Sequence, residues 1–374
     1  MLRLICVGIV TRIRHPKKDA KLKALGGSDM KKIFVCMIVL VVMSASLQAA
    51  VSIPDANLKA AIKKELNITH DPNESEMLLL KYLKADSNGI SNLIGLEYAT
   101  HLLRLYVNDN NISSLVPLTS LPKLKTLSAR NNNISSMTPL KDITTLMYLF
   151  IPGNNISDIN DLKDPNMNNL RELDLSDNFI SDINALSGLT NLTHLRLRYN
   201  DITDINDLES LTNLIYLYVS YNENITDINA LKNMNSLVEL GLTDVNLSDI
   251  SPLADVNQIK ILWLGYNQIQ DINVLTKFHL AKLDVSFNRL NFESLTNYLK
   301  QIMSNSDPAS SIVCNWLIND RFTDMNDMQL FASRWLRDDC NLTNYYCNSA
   351  DFGGSGNVDF WDFAVFAEWW MYVP

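Results

Sequence analysis

From Leu80 the chain returns to one frame, LxxLxLxxNxIxxIxxL, ten times in register. LRELDLSDNFISDINAL from Leu170 and LTHLRLRYNDITDINDL from Leu192 are consecutive copies. The frames open at Leu80, Leu102, Leu124, Leu146, Leu170, Leu192, Leu214, Leu237, Ile259 and Leu280. Most intervals are 22 residues; the exceptions are an insertion near Pro165, one extra residue near Glu223 and one missing near Phe278. A unit this short cannot bury its apolar face alone, so its neighbours must cover it. The frame therefore implies an α/β solenoid, with one short strand per coil on the concave side and loops or 3-10 turns on the convex side.

Within the frame, LxL places two apolar side chains inward and their polar neighbours outward. The Asn follows at the turn: Asn88, Asn110, Asn132, Asn154, Asn178, Asn200, Asn222, Asn267 and Asn288. An inward Asn can bond backbone groups that the turn leaves unpaired. Stacked turns should thus form an asparagine ladder, with a local defect in frame eight, where Val245 replaces Asn.

Ten such frames resemble the 22-residue leucine-rich repeats of the internalin family, over roughly residues 51–304. IPDANLKAAIKKELN looks like the helical cap of that family, with Leu58, Ala61, Ile62 and Leu66 on one face. At the far end, FESLTNYLKQIM from Phe292 carries Leu295, Leu299 and Ile302 at helical spacing and is expected to cap the last coil.

Strand positions between the inward leucines read as a concave surface. They offer Arg104, Tyr106, Tyr148 and Phe150, then Glu172, Asp174, His194, Arg196, Arg198 and Tyr199. Tyr216, Tyr218, Tyr221, Trp263 and Tyr266 follow. Tyr, Trp and Arg anchor protein interfaces, which points to a protein ligand. Stacking on a glycan and cross-strand pairing within the sheet are the alternatives.

The recurring Asp–Ile pairs (Asp158, Asp182, Asp204, Asp227, Asp249 and Asp271) suggest backbone capping at turns rather than metal ligation. His70, His101, His194 and His279 are scattered, with no HExxH spacing, and no phosphate loop or GxSxG elbow occurs. The chain reads as non-enzymatic. Its net charge is −9, and residues 51–374 alone carry 23 basic and 39 acidic groups, which argues against a nucleic-acid partner.

Residues 1–29 read as an upstream start ahead of the true Met30. MKKIFVCMIVLVVMSASLQAA, Met30 to Ala50, has the basic start, apolar run and small-residue end of a secretory signal. The run from Ile33 to Met43 is too short for a comfortable membrane span. A secreted or cell-surface protein, with no stable span after cleavage, is expected. Residues 51–79 would form the cap and 80–305 the repeats with their C-terminal cap.

Residues 306–374 change character. TDMNDMQLFASRWL from Thr323 and VDFWDFAVFAEWWM from Val358 align at a 35-residue offset as a duplicated loop and helix. The pair resembles dockerin type I modules, small all-α folds with EF-hand-like loops. The resemblance implies weak calcium binding in the second loop only, through Asp351, Ser355, the Asn357 carbonyl, Asp359 and Asp362. Gly353 leaves one ligand position without a side chain, and the first loop places Trp316 and Ile318 at ligand positions. Docking to a cohesin-like receptor is the implied role. Of the three cysteines in this part, Cys340 and Cys347 are closest in sequence and could bridge, with Cys314 as competitor. Together these features describe an exported binding protein. A polysaccharide-binding component of a degradative assembly and a purely structural surface protein are the alternatives.

Overall fold

The computed structural model describes residues 49–291 together with Ser294, Asn297 and Tyr298. Ten strands follow one another in chain order, each parallel to the next. They are β1 (Tyr82–Lys84), β2 (Arg104–Tyr106), β3 (Thr126–Ser128), β4 (Tyr148–Phe150), β5 (Glu172–Asp174), β6 (His194–Arg196), β7 (Tyr216–Tyr218), β8 (Glu239–Gly241), β9 (Ile261–Trp263) and β10 (Lys282–Asp284). In every strand the middle residue is a leucine, and leucines pair in register from Leu83↔Leu105 to Leu262↔Leu283. These leucines are buried, while most of their strand neighbours reach the concave surface. The alternation LxL thus becomes one apolar interior shared by all coils. The insertion near Pro165 is absorbed on the convex side as an additional 3-10 turn, Pro165–Asn169 after Asn160–Lys163, and Leu149↔Leu173 stays in register.

The asparagine ladder runs from Asn110 to Asn288. Asn154 shows its logic: its Oδ1 accepts from Ile134 N at 3.0 Å. Its Nδ2 donates to the carbonyls of Ala129 (3.0 Å), Ile151 (3.0 Å) and Pro152 (3.2 Å). Each ladder residue reaches back to the preceding coil. Asn88, expected as a rung, departs from this: it is exposed, because the first coil has no predecessor to bond. The frame-eight defect is present. With Val245 there, Ile225 N has only a long 3.4 Å bond to the Asn222 carbonyl.

The residue before each ladder position has a left-handed backbone: Asp109 (φ 54°), Gly153 (φ 66°), Asp177 (φ 56°) and Asp244 (φ 54°) are examples. This turn aims the backbone at the next coil, as in Asp177 N to Arg198 O, 2.7 Å. Asp, Asn and Gly tolerate it well. The same conformation is forced on Tyr199, Tyr221, Tyr266 and Phe287.

The N-terminal end is closed by α1 (Ala56–Leu66), with Leu58 and Ile62 buried and Ala61 and Leu66 packed on the same core. One carboxylate joins cap to solenoid. Asp55 Oδ1 accepts from Asn57 N and Leu58 N, capping α1. Its Oδ2 accepts from Ser91 N, Ser91 Oγ and Asn92 N on the first coil. Burial pulls the Asp55 acid upward, but these donors outweigh it and hold it below the ordinary carboxylate range. A four-residue turn of helix, α2 (Glu74–Met77), carries a capping box between Asn73 and Glu76. At the other end Tyr298 is buried and Ser294 N donates to Asn291 Oδ1. The expected cap residues Leu295, Leu299 and Ile302 lie outside the described residues.

On the convex side each Asp of the Asp–Ile pairs accepts from the backbone two residues on, as in Asp182 Oδ1 from Asn184 N (2.9 Å) and Asp271 Oδ1 from Asn273 N (2.7 Å). Their role is therefore turn capping, as the sequence suggested. Among the described residues no helix is long and apolar enough to cross a membrane.

Asn154→Ala strands Ile134 N and weakens three carbonyl bonds in the interior. It should cost about 3 kcal/mol, read as a lower midpoint in denaturant. Val245→Asn restores the missing rung and should leave stability unchanged or raise it by about 1 kcal/mol. Asp55→Asn should make stability less sensitive to acid. The Asp55 acid titrates lower when folded than its ordinary 3.8, so its contribution is present above that value and lost as pH falls through the folded one. Melting curves across acid pH for both proteins check the sign.

Candidate functional site

Strands β6 to β10 carry a connected concave cluster. The His194 and Tyr216 rings stack at 4.5 Å and 24°. Tyr218 is only 9% exposed. It lies over Gly241, where a Cβ would come within 2.8 Å of its ring; the glycine makes its seat. The Tyr218 phenol lies close to the Glu239 carboxylate, whose Oε1 accepts from Trp263 Nε1 at 3.1 Å. Burial first, and the Glu239 carboxylate second, push the phenol up to about 12. Arg196 and Arg198 stand over the Tyr218 ring at 5.7 and 4.2 Å, and Lys282 Nζ stands 4.1 Å over Trp263. Arg198 Nε is buried with no partner among the described residues. The aromatic faces are thus already loaded with cations and fixed around one carboxylate.

Of the residues singled out in the sequence, His194, Arg196, Arg198, Tyr216, Tyr218 and Trp263 come together here. Glu172 and Asp174 line the neighbouring strand β5. Arg104 and Tyr106 lie on β2, where Tyr106 meets Tyr82 at 5.6 Å. Tyr148 and Phe150 lie on β4, separated from β2 by the small Thr126 and Ser128 of β3. Glu239 and Lys282 were missed. A frame-by-frame column of the strand positions would have flagged Glu239 as an acid between Tyr218 and Trp263.

Tyr199, Tyr221 and Tyr266 were expected on concave strands, and the structure corrects this. They occupy the left-handed turn after the strand, because the frame places them immediately before the ladder Asn. Tyr199 stacks on Tyr221 at 4.2 Å and 4°, and Tyr266 on Phe287 at 4.1 Å and 18°. Tyr199, Tyr266 and Phe287 remain at least 40% exposed. A left-handed residue with a Cβ costs about 1 to 2 kcal/mol, twice over per pair, whereas stacking returns about 0.5 to 1.5 kcal/mol. The turn thus costs these aromatics more than it would cost Asn or Asp, and stacking offsets part of that cost.

The calcium ligands Asp351, Ser355, Asn357, Asp359 and Asp362, and the pair Cys340 and Cys347, lie outside the described residues. Among the described residues no group of three or more His, Cys, Asp or Glu is placed to hold a metal ion.

Comparison with known proteins agrees with this geometry. Profiles described as "Leucine rich repeat" and "Leucine Rich repeats (2 copies)" match residues 144–202, and residues 100–142 and 190–233. The structure is similar to that of an internalin (inlF) from Listeria monocytogenes, at 29% identity and TM-score 0.53, covering 66% of this chain and 86% of that one. An internalin C2 (inlC2) from the same organism gives 28% identity and TM-score 0.46, with 63% and 92% covered. The ectodomain of the Arabidopsis thaliana receptor kinase GASSHO1/SCHENGEN3, solved with CASPARIAN STRIP INTEGRITY FACTOR 2, shares the fold at 21% identity and TM-score 0.50, with 59% and 28% covered. No curated protein matches the sequence. The chain carries leucine-rich repeats in a ten-strand parallel solenoid, and internalins are among its structural neighbours. That architecture is consistent with a role in protein binding.

Glu239→Gln should lower the Tyr218 pKa from about 12 towards 10, seen in an ultraviolet titration of the phenols. The sign follows from linkage: a raised folded pKa contributes stability below pH 10 that is lost as pH rises through about 12. Phe287→Asn, which suits the left-handed turn, should leave stability within about 0.5 kcal/mol of the parent or improve it.

Proposed function

We propose that this is an exported, non-enzymatic recognition protein that holds a protein partner on the concave face of its solenoid. The observation that carries the reading is the cluster around Glu239. Its Tyr, Trp and Arg side chains are locked in place by one another before any partner arrives. Little side-chain freedom remains to be lost on binding, and preorganisation of this kind converts contact into affinity. Tyr, Trp and Arg are also the residue types that dominate interface energetics. Export rests on the signal-like segment from Met30 to Ala50.

The C-terminal duplicated loop–helix serves, in this reading, as a dockerin-like tether to a cohesin-like receptor. Its second loop takes one calcium weakly through Asp351, Ser355, Asn357, Asp359 and Asp362. Oxygen donors in that order suit a hard cation, and the gap at Gly353 weakens the site.

Tyr216→Ala combined with Trp263→Ala should reduce capture of partner proteins from a cell-envelope fraction roughly tenfold or more, with circular dichroism unchanged. Undiminished capture by the folded double variant would overturn the concave-face reading. A glycan array lighting up where no protein is captured would favour the polysaccharide alternative. For the tether, calorimetry on the full chain should give a calcium dissociation constant of about 0.1 to 1 mM. Asp359→Ala should abolish that heat; the same heat in both proteins would exclude this loop.

A further inference from the structure

The row of left-handed turn residues forms a ridge along one edge of the concave sheet. Its second half reads Asp177, Tyr199, Tyr221, Asp244, Tyr266 and Phe287, one residue per coil. The inner faces of the two aromatic pairs are consumed by stacking. The outer faces of Tyr221 and Tyr266 are left looking at the same place, the coil that carries Asp244. Because these rings ride on coils seven and nine, with coil eight between, they stand about 8 to 10 Å apart, two strand spacings. A flat group in van der Waals contact with both rings takes about 7 to 8 Å. The short Asp244 side chain leaves that space open.

Asp244 is half-buried, and its backbone N–H is held by Gly265 O at 3.0 Å. Its carboxylate makes no hydrogen bond or ion pair among the described residues, yet it lies near enough to Tyr221 to raise the pKa of that phenol, behind burial and the Tyr199 hydroxyl. Arg196 and Arg198 stand over the Tyr218 ring, and Arg198 is also near enough to Tyr221 to oppose part of that rise. The slot therefore combines two aromatic faces with a carboxylate between them that has no hydrogen-bond or ion-pair partner among the described residues. All three residues, Tyr221, Asp244 and Tyr266, occupy the left-handed turn position of their coils.

We propose that the slot between Tyr221 and Tyr266, with Asp244 at its base, receives an arginine side chain from a protein partner. A guanidinium is planar enough to lie between two rings, is attracted by both, and can offer two N–H groups to one carboxylate. A neutral ring of the same thickness would cover the Asp244 carboxylate without pairing it. A pyranose presents no charge to that carboxylate either. The ridge is thus a second subsite, distinct from the Glu239 cluster, and it selects partners that display an exposed arginine.

The test uses the full chain with ring-labelled tyrosine, followed by NMR during titration with Nα-acetyl-arginine amide and with its citrulline counterpart. Arginine amide should shift the Tyr221 and Tyr266 ring signals with millimolar affinity, and citrulline, the neutral analogue, should bind roughly tenfold more weakly. Asp244→Asn keeps a residue that tolerates the left-handed turn and should weaken arginine binding roughly tenfold. Tyr266→Asn should abolish the Tyr221 shift in a chain that still folds. Tyr216→Ala with Trp263→Ala should leave the titration intact, which separates this subsite from the concave cluster. Equal binding of citrulline and arginine, an unaffected Asp244→Asn variant, or silent Tyr221 and Tyr266 signals would each overturn the assignment.

Discussion

Everything in this molecule hangs on the backward reach of the ladder asparagines. A coil of this length ends in a turn whose amides and carbonyls have no partners within the coil. One carboxamide supplies an acceptor to the preceding coil and a donor shared among carbonyls of both. The bond is at once local and inter-coil. It fixes the turn, the spacing of the stack and the aim of each strand. The apolar interior could slide along the axis; the ladder cannot, because a slip would leave interior polar groups unpaired.

The same geometry sets the surface chemistry. To turn its amide towards the next coil, the residue ahead of each Asn adopts a left-handed backbone. That places one side chain per coil on a ridge, clear of the interior and clear of the strand. Strand side chains, by contrast, alternate strictly, and only the odd positions of each triplet reach the concave face. The solenoid therefore displays two parallel registers, one on the sheet and one on the turns. Aromatics occupy both, but for opposite reasons: on the sheet they interlock around Glu239 and Gly241, and on the ridge they sit against backbone preference.

The ends obey the logic of the ladder as well. At the first coil there is no earlier turn to bond, so Asn88 is released to solvent and the polar work passes to Asp55. One side chain both starts α1 and clips it to the first coil. The break at Val245 shows what happens without a rung inside the stack. The coil survives on its leucines, and a single long backbone bond takes up the slack.

The number of coils, their parallel order, the inward leucines, every rung but the misassigned Asn88 and the defect at Val245 were legible in the sequence, because each follows from a repeat read against simple backbone accounting. So was the capping role of the Asp–Ile pairs, which is a matter of neighbours two residues apart. What needed the tertiary structure was every relation between residues of one coil and the next. Tyr218 is buried only because β8 has Gly241 opposite it, and Glu239 matters only because Tyr218 and Trp263 flank it in space. The repeat frame also misled at Tyr199, Tyr221 and Tyr266: spacing alone does not reveal that the strand has ended and the chain has turned left-handed. A period fixes which residues are equivalent, but which way each points is decided by the backbone dihedrals that closing the coil requires.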